Sequence, residues 1–344
     1  MESGKENNTK NSGCISCGNP LIETGHKMNL CTDCRTKLSR LEIPLKIKLF
    51  ALAIIALTLI GIIQMPRFIS AGVHSARGEK AEEKGLYITA SREFKYVEDV
   101  FPENVENNAH LIICYAHNCD LKNAFAAAER IGDKTTEEIS LMNDANSCLD
   151  ALNGYLPSPE LTTWIDSLHT KSAAEFMDSL TLYCKHHVYD HVALYNLADK
   201  YFDAGNYHAT DSIMLKELIN DRPNIRLNGL MAATKREEKQ YDSAIYYYDQ
   251  ILIQNQEFPT AIAGKVRVEL KRHHDAEAAT LARQCYIIDS TDASSMEAMA
   301  LVAYFSNKQA EAQRMITRMK LLQPADSLVY ARDNDIITGK TQYR

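Results

Sequence analysis

Tryptophan occurs once in this 344-residue chain, proline nine times and glycine 14 times. Glycine and proline that scarce exclude a collagen-like or low-complexity chain. With 45% hydrophobic and 24% charged residues the composition is globular, which excludes wholesale disorder. No GxSxG, HExxH or GxGxxG occurs, so a nucleophile elbow, a zinc-protease helix and a dinucleotide fingerprint are all missing. Gly339-Lys340-Thr341 has the ending of a phosphate-binding loop, but Asn334 stands where the upstream glycine belongs. That stretch reads as a C-terminal tail over 327–344. The scattered Asp and Glu residues suit solvated helix faces. The expectation is a protein that is not an enzyme and has no small-molecule substrate.

Charge of either sign is missing from Leu49 to Met65, LFALAIIALTLIGIIQM, which Pro44 and Pro66 bracket. Counted from Leu45, with the Lys46 and Lys48 stems snorkelling, the run makes roughly 30 Å of helix, about one hydrocarbon core. A buried soluble helix and a cleaved signal peptide compete with this reading. The first is disfavoured because no preceding domain is large enough to bury it. The second would need a 40-residue n-region. The expectation is one transmembrane helix over 43–66. The ten residues before the run hold Arg40, Lys46 and Lys48, whereas the ten after it hold only Arg67. That bias places the N-terminus in the cytosol and the remainder outside it, in the periplasm if the cell is Gram-negative. Eight basic and five acidic residues give 1–48 a net +3, while thirty and forty give 66–344 a net −10. So acidic a main body argues against sequence-independent nucleic-acid binding.

Four of the nine cysteines crowd into Cys14-x2-Cys17 and Cys31-x2-Cys34, with 13 residues between the pairs. Each CxxC turn presents two thiolates on one side, and the loop brings the pairs together around a tetrahedral zinc ion. Gly18 and Pro20 suit a knuckle turn, and Arg35 to Leu41 reads as a short helix. Two disulfides, or one redox CxxC, are the rival readings. Four thiolates leave no open coordination position, so the expected ion is structural. His26 reads as a solvated loop residue. The block, 1–42, resembles the short zinc ribbons at the N-termini of many prokaryotic membrane-anchored proteins. Thiolates persist best in a reducing cytosol, which agrees with the N-in orientation. The scattered Cys114, Cys119, Cys148, Cys184 and Cys285 argue mildly the other way.

The remainder repeats. Small residues fall at Ala90 and Ala124, and again at Thr210, Ala244, Ala278 and Ala312, each step within a group being 34. Here the chain resembles the tetratricopeptide repeat (TPR) family, whose unit is a 34-residue pair of antiparallel helices. Units counted from residues 71 and 191 put Gly78, Ile112, Ala198, Ala232, Val266 and Ala300 at the eighth position. The twenty-fourth holds Phe94, Ala128, Met214, Tyr248, Ala282 and Ile316. The fourth position never holds the family's Trp, and Lys235 and Glu269 stand at the eleventh. The resemblance implies an all-α solenoid: two units over 67–138, an irregular helical segment over 139–190, and four units over 191–326. Cys184-x2-His187-x3-His191 and His273-His274 read as a helix end and a turn rather than metal sites.

In such solenoids first helices line the concave face through roughly positions 2, 5, 9, 12 and 13. These positions hold Tyr195 and Phe202, then Arg226, Arg236, Arg267 and Lys271, then Tyr304 and Phe305. Aromatics beside basic residues suit a protein partner with an acidic, extended segment. The expected function is a membrane-anchored scaffold. Its rival is a transmembrane regulator whose zinc module meets a cytosolic partner through Arg35, Lys37 and Arg40.

Overall fold

The computed structural model describes residues 13–39, 43–168, 172–221, 223–322 and 327–344. The chain divides into two compact units, Met1–Pro66 and Arg67–Arg344. Among the described residues every regular element is an α-helix.

The first unit opens on a knuckle. Gly18 takes φ +75°, and its N–H donates to the Cys14 carbonyl at 2.8 Å. Ile15 N–H reaches the Asn29 carbonyl at 2.9 Å and Glu23 N–H the Leu30 carbonyl at 3.0 Å, folding the loop back on itself. Helix α1, Thr32–Ser39, follows the second cysteine pair's first member. Helix α2 runs from Leu45 to Glu82. It holds an 18-residue window of mean hydropathy 2.3, none of it buried. Among the described residues it is the one helix long and apolar enough to cross a membrane.

The second unit takes the residues of α2 after Pro66 and adds fifteen helices. They are α3 (Tyr87–Val100), α4 (Val105–His117), α5 (Leu121–Ile131), α6 (Ile139–Asn153), α7 (Pro159–Asp166), α8 (Ala173–His186), α9 (His191–Asp203) and α10 (Tyr207–Asn220). There follow α11 (Ile225–Glu237), α12 (Tyr241–Gln254), α13 (Pro259–Lys271), α14 (Asp275–Ile288), α15 (Ala293–Phe305), α16 (Gln309–Leu322) and α17 (Ser327–Ile337). First helices begin at 191, 225, 259 and 293, and second helices at 207, 241, 275 and 309, each step being 34. Upstream, α3 and α5 begin 34 apart, as do α4 and α6. The fold is an all-α, TPR-type solenoid.

The packing explains the period. Ala90, Ala124, Thr210, Ala244, Ala278 and Ala312 are all fully buried, which lets helix backbones approach closely. Phe94, Met214, Tyr248 and Ile316 fill the space between pairs. No pair buries its apolar face alone, so successive clusters form between neighbours, one joining α9, α10 and α11 and another α11, α12 and α13. Lys235 and Glu269 do not mark a slipped register. Lys235 is held by Asp211 at 2.5 Å and Glu238 at 3.2 Å, and buried Glu269 by His274 at 2.7 Å. Polar partners thus satisfy the eleventh position in these two repeats.

Two sequence expectations need adjusting. The period survives one helix into 139–190, because α6 begins in phase with α4. Only α7 and α8 depart, and α8 starts with its own capping box, Ser172 with Glu175. The stretch 327–344 is no loose tail, since α17 buries Ile336 and Ile337 against the last repeats.

The early repeats also fold back onto later ones. Glu257 accepts hydrogen bonds from Thr89 N–H at 2.7 Å and Thr89 Oγ1 at 2.6 Å. Leu86, at the N-cap of α3, has no side-chain acceptor, so Glu257 caps that helix from 168 residues away. Fully buried Asn255 donates to the His117 carbonyl at 2.9 Å and to Asn118 Oδ1 at 2.8 Å. Arg92 reaches the Ile288 carbonyl at 2.8 Å.

Candidate functional site

The knuckle and α1 bring Cys14, Cys17, Cys31 and Cys34 together, their sulfurs separated by about 3.5–3.9 Å. Four thiolates at about 2.3 Å from one zinc ion would stand about 3.8 Å apart. A disulfide would need about 2.05 Å, and all nine cysteines are free thiols. Cys14 is pulled down to about 6, chiefly by a backbone hydrogen bond at Cys31. Cys34 is pushed up to about 12, chiefly by the Cys17 side chain. A cation at the centre would remove that conflict. The apolar support is small: Leu30 and Ile22 beside the cysteines themselves. Among the described residues the four sulfurs are thus held by little apolar packing, and the donor set is one that fits zinc. His26 lies outside the cluster, exposed and 4.0 Å from Glu23.

The concave-face residues fall into two places rather than one stripe. Arg226 sits at the start of α11, its guanidinium 5.0 Å from the Tyr155 ring centre and 4.3 Å from that of Tyr195. It donates to the Tyr155 carbonyl at 3.2 Å. With His191, Glu217 and Asp221 these residues line a cavity of about 570 Å³. Phe202 packs near Tyr207, with ring centres 5.5 Å apart.

Arg236, Arg267 and Lys271 form the second place, and the expected free basic stripe does not survive there. Arg236 is buried, 7% exposed, donating to Glu237 at 2.8 Å and Tyr248 OH at 3.2 Å. Arg267 pairs with buried Glu297, which also takes Arg332 at 2.8 Å. Lys271 lies 3.4 Å from Glu237. Each cation therefore meets a carboxylate of its own or a neighbouring helix. Opposite charge holds Glu297 and Glu237 below the ordinary carboxylate range against the opposing effect of burial, with Arg267 and Arg236 the main contributors respectively. Charge reversal at Arg236 and Arg267 would consequently strand buried Glu297, set a buried charge beside Glu237 and unsettle the fold, which a solvated stripe would not do.

Beyond these cations, Tyr304 and Phe305 meet edge to face at 5.0 Å. Sequence reasoning passed over Glu237, Glu297 and Tyr343, which complete this place. Glu297 and Glu237 occupy concave positions 5 and 13, so the period did carry that signal. Cys184, His187 and His191 go separate ways. Cys184 joins the core, His187 stacks on Tyr183 at 4.0 Å, and His191 bonds Glu217 at 2.6 Å. His273 sits in a turn, and His274 bonds Glu269.

No protein-family model matches the chain, and no curated protein does. Among solved structures 68 chains match. They include a tetratricopeptide repeat protein from Parabacteroides merdae, 12% identical, with 78% of this chain and 99% of that one covered and a TM-score of 0.43. PilF of Pseudomonas aeruginosa is 12% identical, with 80% and 100% covered and a TM-score of 0.31. Yeast Tom70 is 12% identical, with 78% and 63% covered and a TM-score of 0.39. At these identities and TM-scores the likenesses carry no argument about fold or function. The fold rests on the chain's own 34-residue helix spacing.

Proposed function

We propose that the chain is a non-enzymatic, membrane-anchored scaffold whose solenoid binds a protein partner through its inner face, with a structural zinc ion held by Cys14, Cys17, Cys31 and Cys34. One observation carries the membrane reading: the apolar window of α2 is wholly exposed at mean hydropathy 2.3. Apolar surface that extensive finds its solvent in hydrocarbon. The N-terminus lies in the cytosol and the solenoid outside it, which the Arg40, Lys46 and Lys48 flank supports.

The scattered cysteines are compatible with an oxidising compartment. Cys114 and Cys285 are fully buried and Cys184 is 6% exposed. Burial pushes the Cys119, Cys184 and Cys285 thiols up to about 11 and raises Cys148 and Cys114 as well. Protonated, enclosed thiols are poor nucleophiles and persist unpaired.

The inner face offers Tyr195, Phe202, Tyr304 and Phe305 as half-buried aromatic anchors, the residue type that dominates protein interfaces. Two assays test the whole. Alkaline extraction should leave the chain in the membrane pellet and release a variant lacking 43–66; release of the parent would refute the anchor. Metal analysis of the purified chain should return about one zinc per molecule, and Cys31→Ser should abolish it. A metal-free chain purified under reducing conditions would refute the zinc site.

A further inference from the structure

After α17 the chain turns back. Gly339 takes φ +73°, its N–H meeting the Ile336 carbonyl at 3.0 Å and Lys340 N–H the Asp335 carbonyl at 2.8 Å. This reversal lays Tyr343 and Arg344 against the first helices α13 and α15. There they meet residues that the repeat register assigns to the inner face.

Tyr343 enters the charged place. Lys271 Nζ lies 5.0 Å from its ring centre and donates to its carbonyl at 3.4 Å. Phe305 lies 5.7 Å from the same ring. Burial raises the Tyr343 hydroxyl above the ordinary tyrosine range, and that buried hydroxyl finds no hydrogen-bond partner. Arg344 enters an adjoining seat. Its guanidinium stacks 4.0 Å over Phe305 and donates to the Leu270 carbonyl at 3.1 Å. It also pairs with Asp275, Nη2 to Oδ2 at 3.2 Å. Asp275 is held below its ordinary range, chiefly by the hydrogen bond from Arg344.

These two seats define a ligand. One takes a ring beside an ammonium and an aromatic face. The next takes a cation through a carboxylate, a carbonyl and that same aromatic face. The seated sequence is aromatic then basic, the opposite charge from an acidic segment. An acidic segment would find the nearby Arg236, Arg267 and Lys271 already engaged by Glu237 and Glu297.

We propose that the inner face of α13 and α15 is a binding site for an extended segment carrying an aromatic residue followed by a basic one, filled in cis by Tyr343 and Arg344 and taken by a partner's segment of the same chemistry in their place. This rests on the reading of the inner face as the partner surface and gives that partner its chemistry. The short link from α17 keeps the cis segment at high effective concentration, so the site appears weak to an outside ligand until the segment leaves.

The test uses the full chain in detergent micelles and a fluorescein-labelled peptide of residues 338–344, read by anisotropy. The variant Tyr343→Ala/Arg344→Ala should bind the peptide at least about tenfold more tightly than the parent chain. It should ignore a peptide with alanine at both positions, and adding Asp275→Lys should abolish binding. A second variant keeps both residues but carries ten Gly/Ser residues inserted after Lys340. Its affinity should fall between parent and double variant, and it decides the matter if the double variant fails to fold. Folded variants that bind neither peptide, or both equally, overturn the proposal. A partner crosslink at Tyr304 that persists alongside such a failure would leave the scaffold reading intact and remove only this ligand chemistry.

Discussion

Gly264 shows how tightly single positions are specified. A Cβ there would stand 2.2 Å from Tyr248 Cζ and 2.6 Å from its hydroxyl. That hydroxyl accepts from Arg236 at 3.2 Å, so Gly264→Ala must displace the ring and disturb the bond. We expect a loss of about 1–3 kcal/mol in urea unfolding, the usual cost of overpacking; an unchanged midpoint would contradict the contact. Asp333 is a second case. Its carboxyl is fully buried and raised to about 7, first by burial and then by Glu297. A carboxyl raised on folding favours the protonated form, so stability falls as pH climbs from the ordinary aspartate range to about 7. Asp333→Asn should therefore gain little at pH 4 and most at pH 8, by about 1–3 kcal/mol. A gain that shrinks with rising pH would refute this. At this scale the sequence displayed the cations but not their fate. Arg267 looks like a free charge until Glu297 of α15 is placed beside it, a pairing that shows only in the repeat register, whereas Glu237 follows Arg236 directly in the chain.

At the scale of elements, the turn between paired helices is one structure reused. Gly85 and Cys119, then Gly205, Lys239, His273 and Asn307, all take positive φ at steps of 34 within each group. In the third pair Gly205 N–H meets the Phe202 carbonyl at 2.9 Å and Asn206 N–H the Tyr201 carbonyl at 2.8 Å. Together these bonds close a Schellman motif. Asn206 then caps the next helix by accepting from Ala209 N–H. Nothing lies within 4 Å of a Cβ added at Gly205, so Gly205→Ala isolates the backbone cost, about 1 kcal/mol. Lys239→Gly, made at a position already strained, should change stability far less or raise it. Equal losses in thermal unfolding would contradict a shared left-handed turn. The helices themselves were legible because small residues at a fixed period leave a local trace. The phase continuing into α6 was masked by the short α7 that follows. The cap that Glu257 gives α3 was illegible, since its only trace is the missing acceptor at Leu86.

On the whole-molecule scale, the proposed scaffold brings together three features: a four-thiol cluster, an exposed apolar helix and an aromatic inner face. The first two could be read from spacing and composition, because paired CxxC turns and an uncharged apolar run are local. The inner face could be read only in outline, because its chemistry depends on what the chain folds over it. The most direct test places a photoreactive residue at Tyr304 in intact cells and analyses the membrane fraction by mass spectrometry. A control places it at Ile287, 82% exposed on the second helix α14. A membrane-held solenoid with a binding inner face should give a defined adduct with another polypeptide from Tyr304, none from Ile287, and loss of the adduct when 43–66 is deleted. Adducts from Ile287 alone, or a Tyr304 adduct indifferent to that deletion, would contradict a membrane-held solenoid that binds its partner through the inner face.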